Sequence, residues 1–251
     1  MLKWDAIICM PCHADFDNNN KKRDTGSMEK VTQIPASPLD FFLLPVWLHR
    51  KISIRLPGLL LAFMFVGCLD LLFYENLFEQ SIFAGNPGRM ILRFFLFMAL
   101  SFLVGAIDVI FTMWPVGDFL QMIGRRSDKF VHKRISVILM KSYALSHILF
   151  VIPYALVIYS GVDWAQVGPV STSQVRVLYA VLATVLPILP FFQLGILYRT
   201  ISVRTRIQTF GKMIAVLAAY FWMQISGTAI TFLEGLAYEF LQGKSPFSIL
   251  R

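Results

Sequence analysis

Five apolar runs in this chain are each long enough to cross a bilayer, and they dictate most of what it can fold into. They cover about Leu56–Tyr74, Met90–Trp114, Ser136–Tyr159, Val175–Tyr198 and Met213–Leu236. A hydrocarbon core ~30 Å thick needs ~20 apolar residues in a helix. Continuous runs exclude a transmembrane barrel, whose strands alternate over ~10 residues. Composition agrees: 57% of residues are hydrophobic and 15% charged, against ~45–50% and ~25% in soluble domains. So little polar residue cannot cover a single-core soluble fold. The predicted fold is all-α, a polytopic membrane bundle of five transmembrane helices with an added cytoplasmic interfacial helix.

The basic residues predict orientation. Arg50, Lys51, Arg55, Arg125, Arg126, Lys129, Lys133, Arg134, Arg199, Arg204, Arg206 and Lys212 are twelve cations that fall on one side of the spans, against five on the other. Lys/Arg bias in short loops marks the cytoplasmic side, so the N-terminus is expected inside and the C-terminus outside. The membrane expected is the bacterial cytoplasmic membrane. The net charge of +8 is then a topology signal. Its dispersal over three membrane-proximal segments argues against nucleic acid as a partner.

Residues 1–36 read as a polar cytoplasmic tail, 37–52 as an interfacial helix, 53–240 as the transmembrane domain and 241–251 as a short outer tail. The apolar run Ala6–Met10 is too short for a signal peptide. Met28 opens a stretch that reads like a protein start, which leaves 1–27 open between native tail and extension. In SPLDFFLLPVWLHRK, Ser37, Pro38 and Asp40 form a capping pattern ahead of an apolar stretch that ends in His49, Arg50 and Lys51. Such a segment suits the membrane surface. The connection after the second span interleaves Phe119, Leu120, Met122, Ile123, Phe130 and Val131 with Arg125, Arg126, Lys129, Lys133 and Arg134. It fits either anionic lipid, at ~1 kcal/mol per cation, or an ordinary solvated loop.

Polar residues inside the spans are the candidate site, because a charge in hydrocarbon is costly and normally faces protein or water. Asp108 and Lys141 fall roughly 8–9 Å from the cytoplasmic ends of the second and third spans at ~1.5 Å per residue, which predicts that they pair. Gln193 reaches the same layer. A deeper layer is expected to hold His147 and Gln224, with His147 on one helical face with Tyr143 and Tyr154. Asp70 and Glu234 fall near the outer ends and are expected to be solvated. Pro153, Pro187 and Pro190 are expected to mark breaks in the third and fourth spans. The pairs Gly58/Ala62, Ser101/Gly105 and Ala215/Ala219 permit close helix approach.

Cys9-Met-Pro-Cys12-His13 matches the pattern for covalent c-type haem. Attachment occurs outside the cytoplasm, whereas the charge bias holds this end inside, and the polar flanks could not wrap a haem. Two Cys and one His also leave a zinc site incomplete. No cofactor is therefore expected, with c-type haem as the alternative. Cys68 reads as a small buried hydrophobe. No P-loop, nucleophile elbow or HExxH helix occurs.

The SYALSHILFVIPYALV stretch, the VLPILPFFQLGILYRTISVRTRI stretch with its basic turn, and five closely spaced spans after a cytoplasmic tail together resemble the Yip (Ypt-interacting protein) family over about residues 38–240. The resemblance rests on topology. The tyrosine-and-glycine signatures of its eukaryotic members are not evident here, so no Rab GTPase partner and no site residue is carried over. The missing catalytic motifs and the amphipathic basic segments on one face make the leading expectation a non-enzymatic, Yip-like membrane protein that organises or binds partner proteins or lipids. Two other readings stand beside it: a proton- or small-solute-translocating subunit using Asp108, Lys141 and His147, and an accessory or anchor subunit of a membrane redox complex.

Overall fold

A computed structural model describes residues 43–73, 86–160, 162, 167, 168 and 171–242. Its elements are α1 (Val46–Lys51), α2 (Pro57–Leu72), α3 (Pro87–Arg126), α4 (Ile135–Ser146), α5 (Ile148–Tyr159), α6 (Ser173–Arg204) and α7 (Thr209–Gln242). No strand occurs among the described residues. Helix starts follow local chemistry. Pro57 and Pro87 sit in the first turns of α2 and α3, where a missing N–H costs nothing. At α6, Val175 donates its backbone N–H to the Thr172 hydroxyl, 3.4 Å away.

Four helical segments are long and apolar enough to cross a membrane: α3, α4 with α5, α6 and α7. Large apolar side chains point outward on every side of the bundle, including Leu61 (76% exposed), Phe95 (66%), Ile152 (72%), Phe191 (62%) and Ile225 (63%). A soluble surface does not carry such a belt. The protein is an all-α, multi-pass integral membrane bundle. The remaining apolar helix, α2, has 16 residues, or about 24 Å.

The long helices overrun the apolar stretches. α3 continues past Trp114, through Pro115, to Arg126, so only residues 127–134 remain as a loop. The expected breaks at Pro187 and Pro190 are absent, since α6 runs unbroken through both. A membrane helix keeps its other backbone bonds because lipid offers no substitute for them. The third span does break, but at His147, six residues before Pro153. There the Ser146 hydroxyl and His147 Nδ1 both approach the Tyr143 carbonyl, at 2.6 and 2.9 Å. Displaced from that acceptor, the His147 N–H donates to Ala144, and Phe150 N–H in turn donates to His147. Side chains have outcompeted the backbone for one carbonyl, and the helix tightens locally into i→i+3 bonding.

α2 packs on α3, which also packs on α4 and α7, while α4 and α5 lie against α6. One core cluster centres on Val66, Val109, Met113, Leu139, Leu197 and Ile201, and a second, smaller one on Leu71, Phe97, Val104 and Leu241. Of the small pairs, Ser101/Gly105 makes the α2–α3 crossing, where Gly105 meets the backbone of Gly67 and Gly67 meets that of Ser101. Ala215 and Ala219 are buried in α7. Gly58 instead faces the Lys141 ammonium, 3.1 Å from where a Cβ would lie.

α1 is shorter than the 37–52 segment expected, of which 37–42 lie outside the described residues. It is fastened to the end of α6. Arg204 donates to the carbonyls of His49 (3.0 Å), Arg50 (2.6 Å) and Ile52 (2.5 Å), and Arg199 donates to that of Leu44 (2.8 Å). The carbonyls of His49, Arg50 and Ile52 lie at or just past the C-terminal end of this six-residue helix, where carbonyls lack partners along the helix. Leu44 is held at φ 60°, a left-handed conformation that costs an L-residue roughly 1–2 kcal/mol.

Candidate functional site

A partly open cavity of about 210 Å³ lies among the helices. α2 supplies Asp70, α4 supplies Tyr143, the α4–α5 break supplies His147, α5 supplies Tyr154, α6 supplies Gln193 and α7 supplies Glu234. Helical spacing explains the inward aim of each. Asp70 continues the face of Phe63, Val66 and Gly67, which are buried, at intervals of seven, four and three residues. Glu234 lies on the Ile230, Ala237, Tyr238 and Leu241 face of α7, and Gln193 on the Ile196, Leu197 and Thr200 face of α6.

Behind Tyr143 lies Asp108, 4% exposed. The Tyr143 hydroxyl is 3.2 Å from both of its carboxyl oxygens. Thr112 donates to Asp108 Oδ1 at 3.0 Å and lies 3.2 Å from the Ser226 hydroxyl. The His147 ring stands edge-on to that of Tyr143, with centroids 4.6 Å apart. Since His147 Nδ1 faces a carbonyl, it carries the ring proton and leaves Nε2 as the acceptor. Phe150 and Tyr154 continue the aromatic wall at 6.0 and 5.9 Å, and Phe73 closes it, stacked on Tyr154 at 5.2 Å.

The expected Asp108–Lys141 pair does not form. The Lys141 ammonium donates to the Ser53 carbonyl (2.9 Å), the Ser53 hydroxyl (3.0 Å) and the Arg55 carbonyl (2.5 Å). The two side chains share a depth but not a direction. Lys141 precedes Tyr143 by two residues, or ~200° around a helix, so when Tyr143 faces Asp108, Lys141 faces the segment leading into α2. Gln193, 4% exposed, joins the layer through the cavity wall. Gln224 does not join His147: it is exposed on the outer face of α7 beside Phe221, Ile225 and Thr228. The inner face of that helix is carried by Ala219, Ser226 and Ile230. Asp70 and Glu234 are not the solvated end residues expected. Both line the cavity, and Asp70 Oδ2 is enclosed with no hydrogen-bond partner.

A second polar cluster joins α1 to the bundle. His49 is fully buried, its Nε2 donating to the Leu43 carbonyl at 3.0 Å and its Nδ1 2.8 Å from the Thr200 hydroxyl. Ser142 lies 2.6 Å from the same hydroxyl. Burial lowers the His49 pKa below its ordinary 6.5, and the Arg199 and Arg204 charges add to this against the pull of the Leu43 carbonyl.

Arg125, Arg126, Lys129, Lys133 and Arg134 are all exposed around the α3–α4 loop. Cys9, Cys12 and His13 lie outside the described residues. Among the described residues, no group of three or more His, Cys, Asp or Glu is placed to hold a metal ion. Comparison of the chain with protein families, characterised proteins and solved structures finds no match.

Proposed function

We propose that the chain is a proton- or small-solute-translocating membrane protein whose working site is this acidic cavity. One observation carries the reading: the cavity places Asp70, Glu234, His147 and Tyr143 around a shared space, with Asp108 one hydroxyl deeper. Ionisable residues inside a membrane bundle are expensive to keep, and in general they mark ion and proton paths. The facing groups come from every neighbouring helix: Asp70 from α2, Asp108 from α3, Tyr143 from α4, His147 and Tyr154 from the broken α4–α5 pair, and Glu234 from α7. Lys141 takes no part, being held by Ser53 and Arg55.

The supporting topology has five crossings, with α2 as the first and shortest, the N-terminus among the cytoplasmic positive loops and the C-terminus outside. The packing of Gly211 near Ile123 and the docking of α1 on α6 gather the three basic segments at one end. Positive-inside bias makes that end cytoplasmic, in a bacterial cytoplasmic membrane. The test is proton movement in proteoliposomes containing a pH-sensitive dye. Asp108→Asn should abolish the flux while eluting and melting as a folded protein, and unchanged flux would overturn the reading.

A different observation favours a second reading, a Yip-like organiser of partners or lipids. Exposed Trp47, Phe130 and Phe210 stand at the basic end, and Lys51 lies over the Trp47 ring at 5.0 Å. Aromatics mixed with cations suit an anionic membrane surface. Loss of co-purifying anionic lipid on changing Arg125, Arg126 and Lys129 to Gln would support it, and full retention would count against it.

A further inference from the structure

We infer that the occupant of the cavity is a small organic cation: an ammonium group on a compact apolar body. The inference rests on the reading of this cavity as a translocation site and specifies its ligand class.

The charge comes first. Asp70 and Glu234 both line the cavity, and among the described residues no Lys or Arg does. An ammonium in the cavity would donate to whichever carboxyl oxygens of these two residues face it and offset their charge.

The remaining wall is aromatic. Phe73, Tyr154, Phe150, His147 and Tyr143 form an unbroken series of ring contacts between 4.6 and 6.0 Å. Such a surface fits the carbon body of an organic cation, and ring faces attract cations directly. A bare metal ion fits poorly. It requires several oxygen or nitrogen ligands converging at short range, and no such group is placed for it among the described residues.

Size narrows the class. A volume of about 210 Å³ is well above the minimum that holds a single water and accommodates a small organic molecule. That suits a monoamine or a small quaternary ammonium. Gln193 and the His147 Nε2 acceptor are left to orient polar substituents.

The test measures binding of methylammonium, tetramethylammonium and benzylammonium to the full-length protein in detergent at fixed pH. Benzyl alcohol, benzoate and Ca²⁺ serve as neutral, anionic and metal comparisons. At least one ammonium should bind and raise the melting temperature, about tenfold or more tighter than benzyl alcohol. Asp70→Asn and Glu234→Gln should each weaken it by about tenfold, while Gln224→Leu, on the outer face, leaves it unchanged. No binding by any ammonium, equal binding of benzyl alcohol or benzoate, or full affinity in both carboxylate variants would overturn the inference. If Asp108-dependent proton flux persists without ammonium binding, the ligand class falls and the translocation reading stands. If ammonium binds and no flux occurs, the translocation reading falls instead.

Discussion

Gly67 of α2 and Gly105 of α3 touch backbone to backbone: a Cβ built on Gly105 falls 2.5 Å from the Gly67 amide nitrogen and 2.9 Å from its Cα. No side chain can move aside to relieve that contact. It fixes α2 against α3 and so sets where Asp70, one turn further along, enters the cavity.

Gly67→Ala and Gly105→Ala are therefore each expected to destabilise the bundle, by about 1–3 kcal/mol as for other overpacked cores. Gly227→Ala, where an added methyl meets nothing within 4 Å, should be neutral or slightly stabilising. Thermal unfolding of the three variants in one detergent measures the difference. Equal melting temperatures would disprove the crossing.

Asp108 and Tyr143 should be energetically coupled, and Asp108 and Lys141 should not. A double-mutant cycle of Asp108→Ala with Tyr143→Phe is expected to show about 1 kcal/mol of interaction, within the range of interhelical hydrogen bonds in membranes. The cycle of Asp108→Ala with Lys141→Ala should be additive to within about 0.5 kcal/mol, because the two groups bond different partners. Coupling in the second cycle and not the first would reverse the assignment.

The apolar cores of the helices were legible in the sequence because hydrocarbon tolerates few polar interruptions. Their ends were not. The last eleven residues of α3 are amphipathic and follow Pro115, so they read as a connection although the helix continues. His147 with Tyr143 and Tyr154 was legible from spacing on one face, and the cavity bears that grouping out. The Asp108–Lys141 pair failed because position along a span gives depth and says nothing of direction around the helix. Asp70 was readable after all: it stands seven residues beyond Phe63 and four beyond Val66, a spacing that outweighs its nearness to the helix end. Why the Tyr143 carbonyl attracts two side chains, and so breaks the helix at His147, emerges only in three dimensions.

His49 should make stability fall on mild acidification. Its folded pKa lies below the ordinary 6.5, so the unfolded chain takes up a proton first. The stabilisation is fully present above about 6.5, declines as pH drops through the folded pKa, and levels off below it. His49→Gln should flatten this part of the melting temperature against pH curve. A wild-type curve that rises on acidification would show the sign to be wrong.

Arg204→Ala should loosen α1. Three carbonyls lose their donor together, a loss of about 1–3 kcal/mol. Limited proteolysis should then cut residues 43–56 faster while leaving α3 and α7 protected. Arg204→Lys should rescue only in part, since a point ammonium cannot reproduce a planar fork of donors. Unchanged cleavage in Arg204→Ala would contradict the clamp.

The break at His147 falls in the same residue that walls the cavity. Phe150 and Tyr154 lie after this joint, while Tyr143, bonded to Asp108, lies before it. The crossing glycines fix α2 on α3 and Arg204 fixes α1 on α6, whereas the half of the span after His147 joins its first half through a break in the backbone ladder.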